Sequence, residues 1–135
     1  MKVSFVAGFA PIVPDLDASG AFYREALGLP LDDSDYPATD DLAVVKHFGL
    51  WTLANAAIAC FGTDEWPADV PVPQASLELD VETETEVATA AAELRAKGHR
   101  LLVEPKTEEW GQTVARLLSP EGLLVGITYT PWMHE

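Results

Sequence analysis

Two helical stretches of this chain stop at glycines seventy residues apart, Gly28 and Gly98, a spacing of about half the 135 residues. Each stretch follows a strand-like segment and precedes three more, so the order β-α-β-β-β is read twice. In the first half, residues 3–13 are rich in β-branched and aromatic side chains and apolar on both alternating faces, which predicts a strand covered on both sides. Ser19, Phe22, Tyr23, Ala26 and Leu27 share one helical face, opened by Asp15 or Asp17 and stopped by Gly28. Residues 29–34, 42–51 and 53–61 then read as short strands. In the second half, residues 75–81 alternate, with Leu77, Leu79 and Val81 set against Ser76, Glu78 and Asp80. Thr83 and Glu86 form a capping box, Val87, Ala90, Ala91 and Leu94 make the inner stripe of a helix, and Gly98 ends it. Strands follow at 100–103, 113–118 and 123–130, the last two joined by the turn Pro120-Glu121-Gly122.

Four strands and one helix cannot bury both faces of a sheet, so the two units are expected to pair. The fold class is α+β: two tandem βαβββ modules in a curved mixed sheet around a hollow. Module one covers about 1–65, a proline-rich connector 66–73, and module two about 74–135, all in one domain. A hydrophobic content of 48% suffices for one core. The net charge of −14 opposes the attraction that holds proteins to nucleic acid or to anionic membrane, so neither is expected as a partner. No stretch approaches the roughly twenty apolar residues of a membrane span. A single cysteine, Cys60, and a start without an apolar leader point to a soluble protein of the reducing cytoplasm.

Ile12-Val13-Pro14-Asp15-Leu16-Asp17-Ala18-Ser19, with Phe22-Tyr23 and Leu27-Gly28-Leu29 behind it, resembles the opening of the vicinal oxygen chelate superfamily. That superfamily includes glyoxalases, bleomycin-resistance proteins and extradiol dioxygenases. Trp110-Gly111-Gln112, leading through Arg116 to Ser119-Pro120-Glu121-Gly122-Leu123, is similar to its closing motif. The resemblance implies a cup in which enzymes hold a divalent metal through His and Glu, from the first strand of each module and from the last strand. Counting along the strands places those positions at Gly8, or Phe9 if the register slips by one, at Ser76 and at Gly126. None supplies the His or carboxylate ligands that a catalytic metal requires, so neither a metal nor another cofactor is expected. The character is closest to the metal-free bleomycin-resistance branch. That branch implies a homodimer with clefts between subunits, modules exchanged between chains as one option, and sequestration of an antibiotic or secondary metabolite.

The remaining chemistry is sparse. There is no Gly-x-Ser-x-Gly elbow and no phosphate-cradling loop, and Cys60 reads as a buried core thiol. His99 follows a helix end and His134 lies near the terminus, both expected to be structural or solvated, which leaves His47 as the hydrogen-bonding candidate. Glu78 and Asp80 share a strand face and are expected to point into the cup. Trp51, Trp66, Trp110 and Trp132 offer rigid faces for stacking, with Tyr129 added although its parity differs from that of Gly126. Between Lys46 and Arg95 there is no Lys or Arg while nine residues are Asp or Glu, so the ligand is expected to be hydrophobic or aromatic, neutral or cationic. The alternative is an enzyme of the same superfamily, a lyase, isomerase or dioxygenase with displaced or absent metal ligands, acting through Glu78, Asp80 or His47.

Overall fold

The computed structural model describes residues 1–26, 29–42, 44–119 and 122–134. Strand β1 (Val3–Val13) runs antiparallel to β5 (Ala75–Val81), and β5 runs parallel to β8 (Leu124–Tyr129). Strands β7 (Thr113–Leu118) and β6 (Val103–Thr107) extend the sheet by antiparallel pairing. On the far side of β1 lie three two-residue strands, β2 (Ala38–Thr39), β3 (Phe48–Gly49) and β4 (Trp51–Thr52). The order is β2-β3-β1-β5-β8-β7-β6, with β4 also on β1, so the eight-stranded mixed sheet is open and joined at its middle by β1 and β5 of the same chain.

The second half follows its sequence pattern closely. Helix α3 (Glu84–Ala96) lays Val87, Ala90 and Ala91 on Val81, Ala115 and Ile127, the odd-numbered face of the sheet. Its end is a Schellman closure. Gly98 N–H donates to Arg95 O, His99 N–H donates to Leu94 O, and Gly98 takes φ +88°, a conformation that favours glycine. The capping box does not close: Glu86 accepts from the Glu82 N–H, one residue ahead of the cap, and the Thr83 hydroxyl meets the Thr85 hydroxyl rather than a backbone N–H of the helix. The strand expected at 100–103 begins at Val103 and runs to Thr107; Leu102 is joined to Arg116 O just ahead of it.

The first half departs from expectation. Asp15 does cap α1 (Leu16–Gly20), its Oδ1 accepting from Ala18 N–H at 3.0 Å, and the helix continues as a π-helical turn, Ala21–Ala26. Leu27 and the expected stop at Gly28 lie outside the described residues, as does Pro120-Glu121 of the turn before β8. No strand forms over 29–34, where Pro30 removes a ladder donor; Leu31 instead joins Val13 and Leu50 in a small core. Among the described residues of 42–51, only β3 and the start of β4 are strand.

The largest correction is residues 53–61, which form helix α2 (Leu53–Phe61) and not a strand. Four of these nine residues are alanine, the best helix former. Thr52 caps the start by accepting from Asn55 N–H at 3.1 Å, and Gly62 closes the end at φ +76°. Ala56 and Cys60 pack on Ile12, Val103 and Leu124, on the face of the sheet opposite α3. Helix α2 thus fills one end of the cup. Strand β1 is also less covered than its apolar faces suggest, since Val3, Val6 and Phe9 are 41%, 39% and 37% exposed. A register shift between Val6 and Gly8 turns Val6, which shares the parity of Gly8, to the other face and leaves Phe5 opposite Asp80.

Candidate functional site

The cup-facing side chains meet in a row. Across four adjacent strands, Gly8 pairs with Glu78, Glu78 with Gly126, and Gly126 with Arg116. Over this row, between α2, the 36–47 segment and the C-terminal turn, lies a hollow of about 700 Å³. That volume is in the range of small-molecule sites. Trp51 lies on its wall, and Trp110 and Trp132, 52% and 46% exposed, stand at its edge. Ala10, Ile58 and Ala59 add apolar surface.

Two polar chains enter the hollow. In one, Trp110 Nε1 donates to Gln112 Oε1 (3.1 Å), and Gln112 Nε2 donates to Glu78 Oε2 (2.9 Å) and to Thr130 Oγ1 (3.0 Å). In the other, His47 Nδ1 lies 2.6 Å from Asp40 Oδ1 and His47 Nε2 lies 2.9 Å from the Tyr36 hydroxyl. With Asp40 as the accepting carboxylate, Nδ1 carries the proton and Nε2 accepts from Tyr36. Burial, followed by the charges of Glu78 and Asp40, pushes the Tyr36 phenol above its usual range, so it stays neutral on the wall of the hollow.

At the other end Arg116, 1% exposed, donates from Nη1 to Glu108 Oε1 at 2.8 Å, and its Cζ lies 5.3 Å from the centre of the Trp51 ring. Lys106 Nζ lies 3.6 Å from the same Glu108 oxygen and donates to Ala59 O.

Of the residues expected at the site, the fold brings together His47, Trp51, Glu78, Trp110 and Trp132. His47 has both ring nitrogens engaged within the chain, by Asp40 and by the Tyr36 hydroxyl. Three candidates sit elsewhere. Trp66 packs edge-on against Phe61 and donates Nε1 to the carbonyls of Val70 and Pro71. Tyr129 lies on the α3 side of the sheet, as its parity indicated. Asp80 shares the cup face but is fully buried: it accepts from Thr128, from Thr130 through both N–H and hydroxyl, and faces His134 Nε2 at 2.7 Å. His134 is therefore a partner of Asp80 and not a solvated tail residue. Burial pushes the Cys60 thiol up, as expected of a core cysteine.

Tyr36, Asp40, Arg116 and Lys106 are site residues that the sequence patterns did not single out. Arg116 left one signal, a charge at an inward position of an otherwise apolar strand.

In the sheet register Glu78 stands in one row with Gly8 and Gly126, while Ser76, the expected second-module position, pairs with Ala10 one step along. The row therefore reads Gly8, Glu78, Gly126. A Cβ on Gly8 would lie 3.7 Å from Glu78 Oε2 and one on Gly126 3.4 Å from Glu78 Cγ, so the Glu78 side chain occupies the space between the glycines. A single carboxylate, already accepting from Gln112 and followed by a guanidinium on the same row, does not fit a divalent ion. Among the described residues no group of three or more His, Cys, Asp or Glu is placed to hold one.

An open, curved α+β sheet with a hollow of this size over its middle strands defines a cup protein of the glyoxalase fold. The chain belongs to the Glyoxalase/Bleomycin resistance protein/Dioxygenase superfamily, whose sequence model matches residues 7–127. Among solved structures, it is similar to a superfamily member from Vibrio splendidus 12B01, with 16% identity over 96% of this chain and 100% of that one and a TM-score of 0.57. It is also similar to a Streptomyces coelicolor methylmalonyl-CoA epimerase variant in complex with 2-nitronate-propionyl-CoA, with 18% identity, coverage of 96% and 99%, and a TM-score of 0.56. A third, described as NAD-dependent benzaldehyde dehydrogenase from Legionella pneumophila, has 14% identity, coverage of 90% and 96%, and a TM-score of 0.58. At these identities the likeness is one of fold. No curated protein matches the sequence. Among the described residues no helix is long and apolar enough to cross a membrane.

Proposed function

We propose that this protein binds a hydrophobic or aromatic small molecule of antibiotic or secondary-metabolite type without a metal, and protects by holding it. The observation that carries the reading is a hollow of about 700 Å³ lined by Trp51, Trp110 and Trp132 over the row Gly8, Glu78 and Gly126, which offers one carboxylate between two glycines. Large rigid rings flanking the cavity favour a flat ligand, and the polar groups fixed on its wall orient it. The overall acidity does not decide the ligand's charge. Of the acidic block between Lys46 and Arg95, Glu78 lines the hollow, and it shares that space with Lys106 and Arg116. The test is saturable quenching of tryptophan fluorescence by an aromatic antibiotic in metal-stripped protein, with the ligand recovered unchanged.

One observation favours a second reading. The Tyr36–His47–Asp40 chain beside Glu78 resembles an acid–base pair, and a metal-free enzyme would use it to move a proton. Consumption of the bound molecule, lost in Tyr36→Phe, is the result that would select it. The active form in either reading is a homodimer, and the exposed apolar side chains Val3, Val6 and Phe9 on β1 support this. We infer a dimer in which β1 and β5 keep pairing within one chain, as they do here.

A further inference from the structure

We propose that Arg116 is the reading point for an anionic oxygen group, a carboxylate or a similar oxyacid, on the aromatic molecule held in the hollow. This rests on the reading of the hollow as an aromatic-binding site and adds the chemical class of the ligand. Arg116 projects from β7 into the hollow at the end of the Gly8–Glu78–Gly126 row. Its Nη1 is engaged by Glu108, but Nη2 is buried and has no hydrogen-bond partner in the chain. A guanidinium donor sealed from water without an acceptor is rare and destabilising, and it points to an acceptor that arrives from outside the chain.

The local charge says what kind. Arg116 and Lys106 both lean on one carboxylate, Glu108, so two cations face one buried anion. Glu109, the other acid of this end, also lines the hollow but is exposed to solvent, where water screens its charge. Glu78 stands two strands away on the same row and is held by Gln112. In a chain of net charge −14 this is a cationic point within the hollow. The Trp51 ring lies against the guanidinium, which leaves the in-plane N–H edge for an incoming group. An oxyanion matches that edge better than water or a neutral carbonyl, because it supplies charge as well as acceptors. Nη2 has no surface open to bulk water, so the acceptor enters with a small shift of the side chains around it.

Calorimetric titration of the full-length, metal-stripped protein with 2-naphthoate, 2-naphthamide and 2-naphthylmethylamine presents one ring with an anionic, a neutral and a cationic group. Naphthoate is expected to bind at least tenfold more tightly than the amide, and Arg116→Met to bring the two within twofold. If Arg116→Met does not fold, Arg116→Lys, which keeps the charge and loses the fork, is expected to reduce the preference severalfold. Equal binding of naphthoate and amide, tightest binding of the amine, or a preference unchanged in the arginine variants would overturn the role of Arg116 while leaving the aromatic site standing. Failure of all three compounds to bind would remove the aromatic reading, and this inference with it.

Discussion

At the scale of single residues, Tyr36 shows how closely the hollow is fitted. It stacks on His47 with ring centres 5.6 Å apart, and its hydroxyl stands where a side chain on residue 49 would begin: a Cβ there would lie 2.5 Å from the phenol oxygen. Gly49→Ala is therefore expected to push Tyr36 out and to cost about 1–3 kcal/mol by denaturant unfolding, and wild-type stability would contradict this packing. The raised phenol gives a second expectation. The neutral form is favoured in the folded chain, so above the ordinary phenol range the unfolded chain releases a proton that the folded chain keeps. Stability from Tyr36 is then fully present below about pH 10 and is lost as pH rises beyond it. Tyr36→Phe should flatten the fall of the melting temperature above pH 10; an unchanged fall would count against the assignment.

The same scale shows where sequence reading stops. Glu78 and Asp80 have the same strand parity, and parity alone sends both into the cup, yet Asp80 is covered by a turn fifty residues further along. Nothing local to Asp80 records that cover. Tyr129, whose parity was visible, went to the face that parity indicated.

Among the elements, α3 and its glycine stop were legible because caps, stripe and stop agree with one another. Helix α2 was not. Its residues are apolar on nearly all sides, and a short apolar run does not distinguish a buried strand from a buried helix by period alone. The alanine content and the flanking Thr52 and Gly62 were the better signals. Thr52→Ala should cost about 1 kcal/mol through loss of the cap to Asn55, measured by chemical denaturation, and no loss would contradict the capping geometry. The duplication itself was readable, but the register that puts Glu78 opposite Gly8 came only with the paired strands. Residues 29–47 resisted for another reason: their order depends on long-range contacts such as Leu31 with Val13 and Leu50, not on local propensity.

For the whole molecule, the C-terminal turn ties the site to the sheet. Pro131–Met133 is a 3₁₀ turn held by Lys46 Nζ on Met133 O and by His134 on Asp80, and it sets Trp132 beside Gly111 at the edge of the hollow. His134→Ala is expected to weaken an aromatic ligand severalfold while leaving the fold intact, and affinity equal to wild type would show that Trp132 is placed without this tie. A homodimer would appear in light scattering at twice the 14.6 kDa chain mass, whereas a chain mass at all concentrations would contradict pairing.

The central claim is that the hollow holds an aromatic molecule without a metal and without changing it. The most direct measurement is a titration of metal-stripped protein with a panel of aromatic antibiotics, following tryptophan fluorescence and recovering the ligand afterwards. The account predicts saturable quenching that Trp110→Ala and Trp132→Ala each weaken about tenfold, with the ligand recovered intact. No response across the panel, binding that appears only on addition of a divalent ion, or a chemically altered ligand would contradict it.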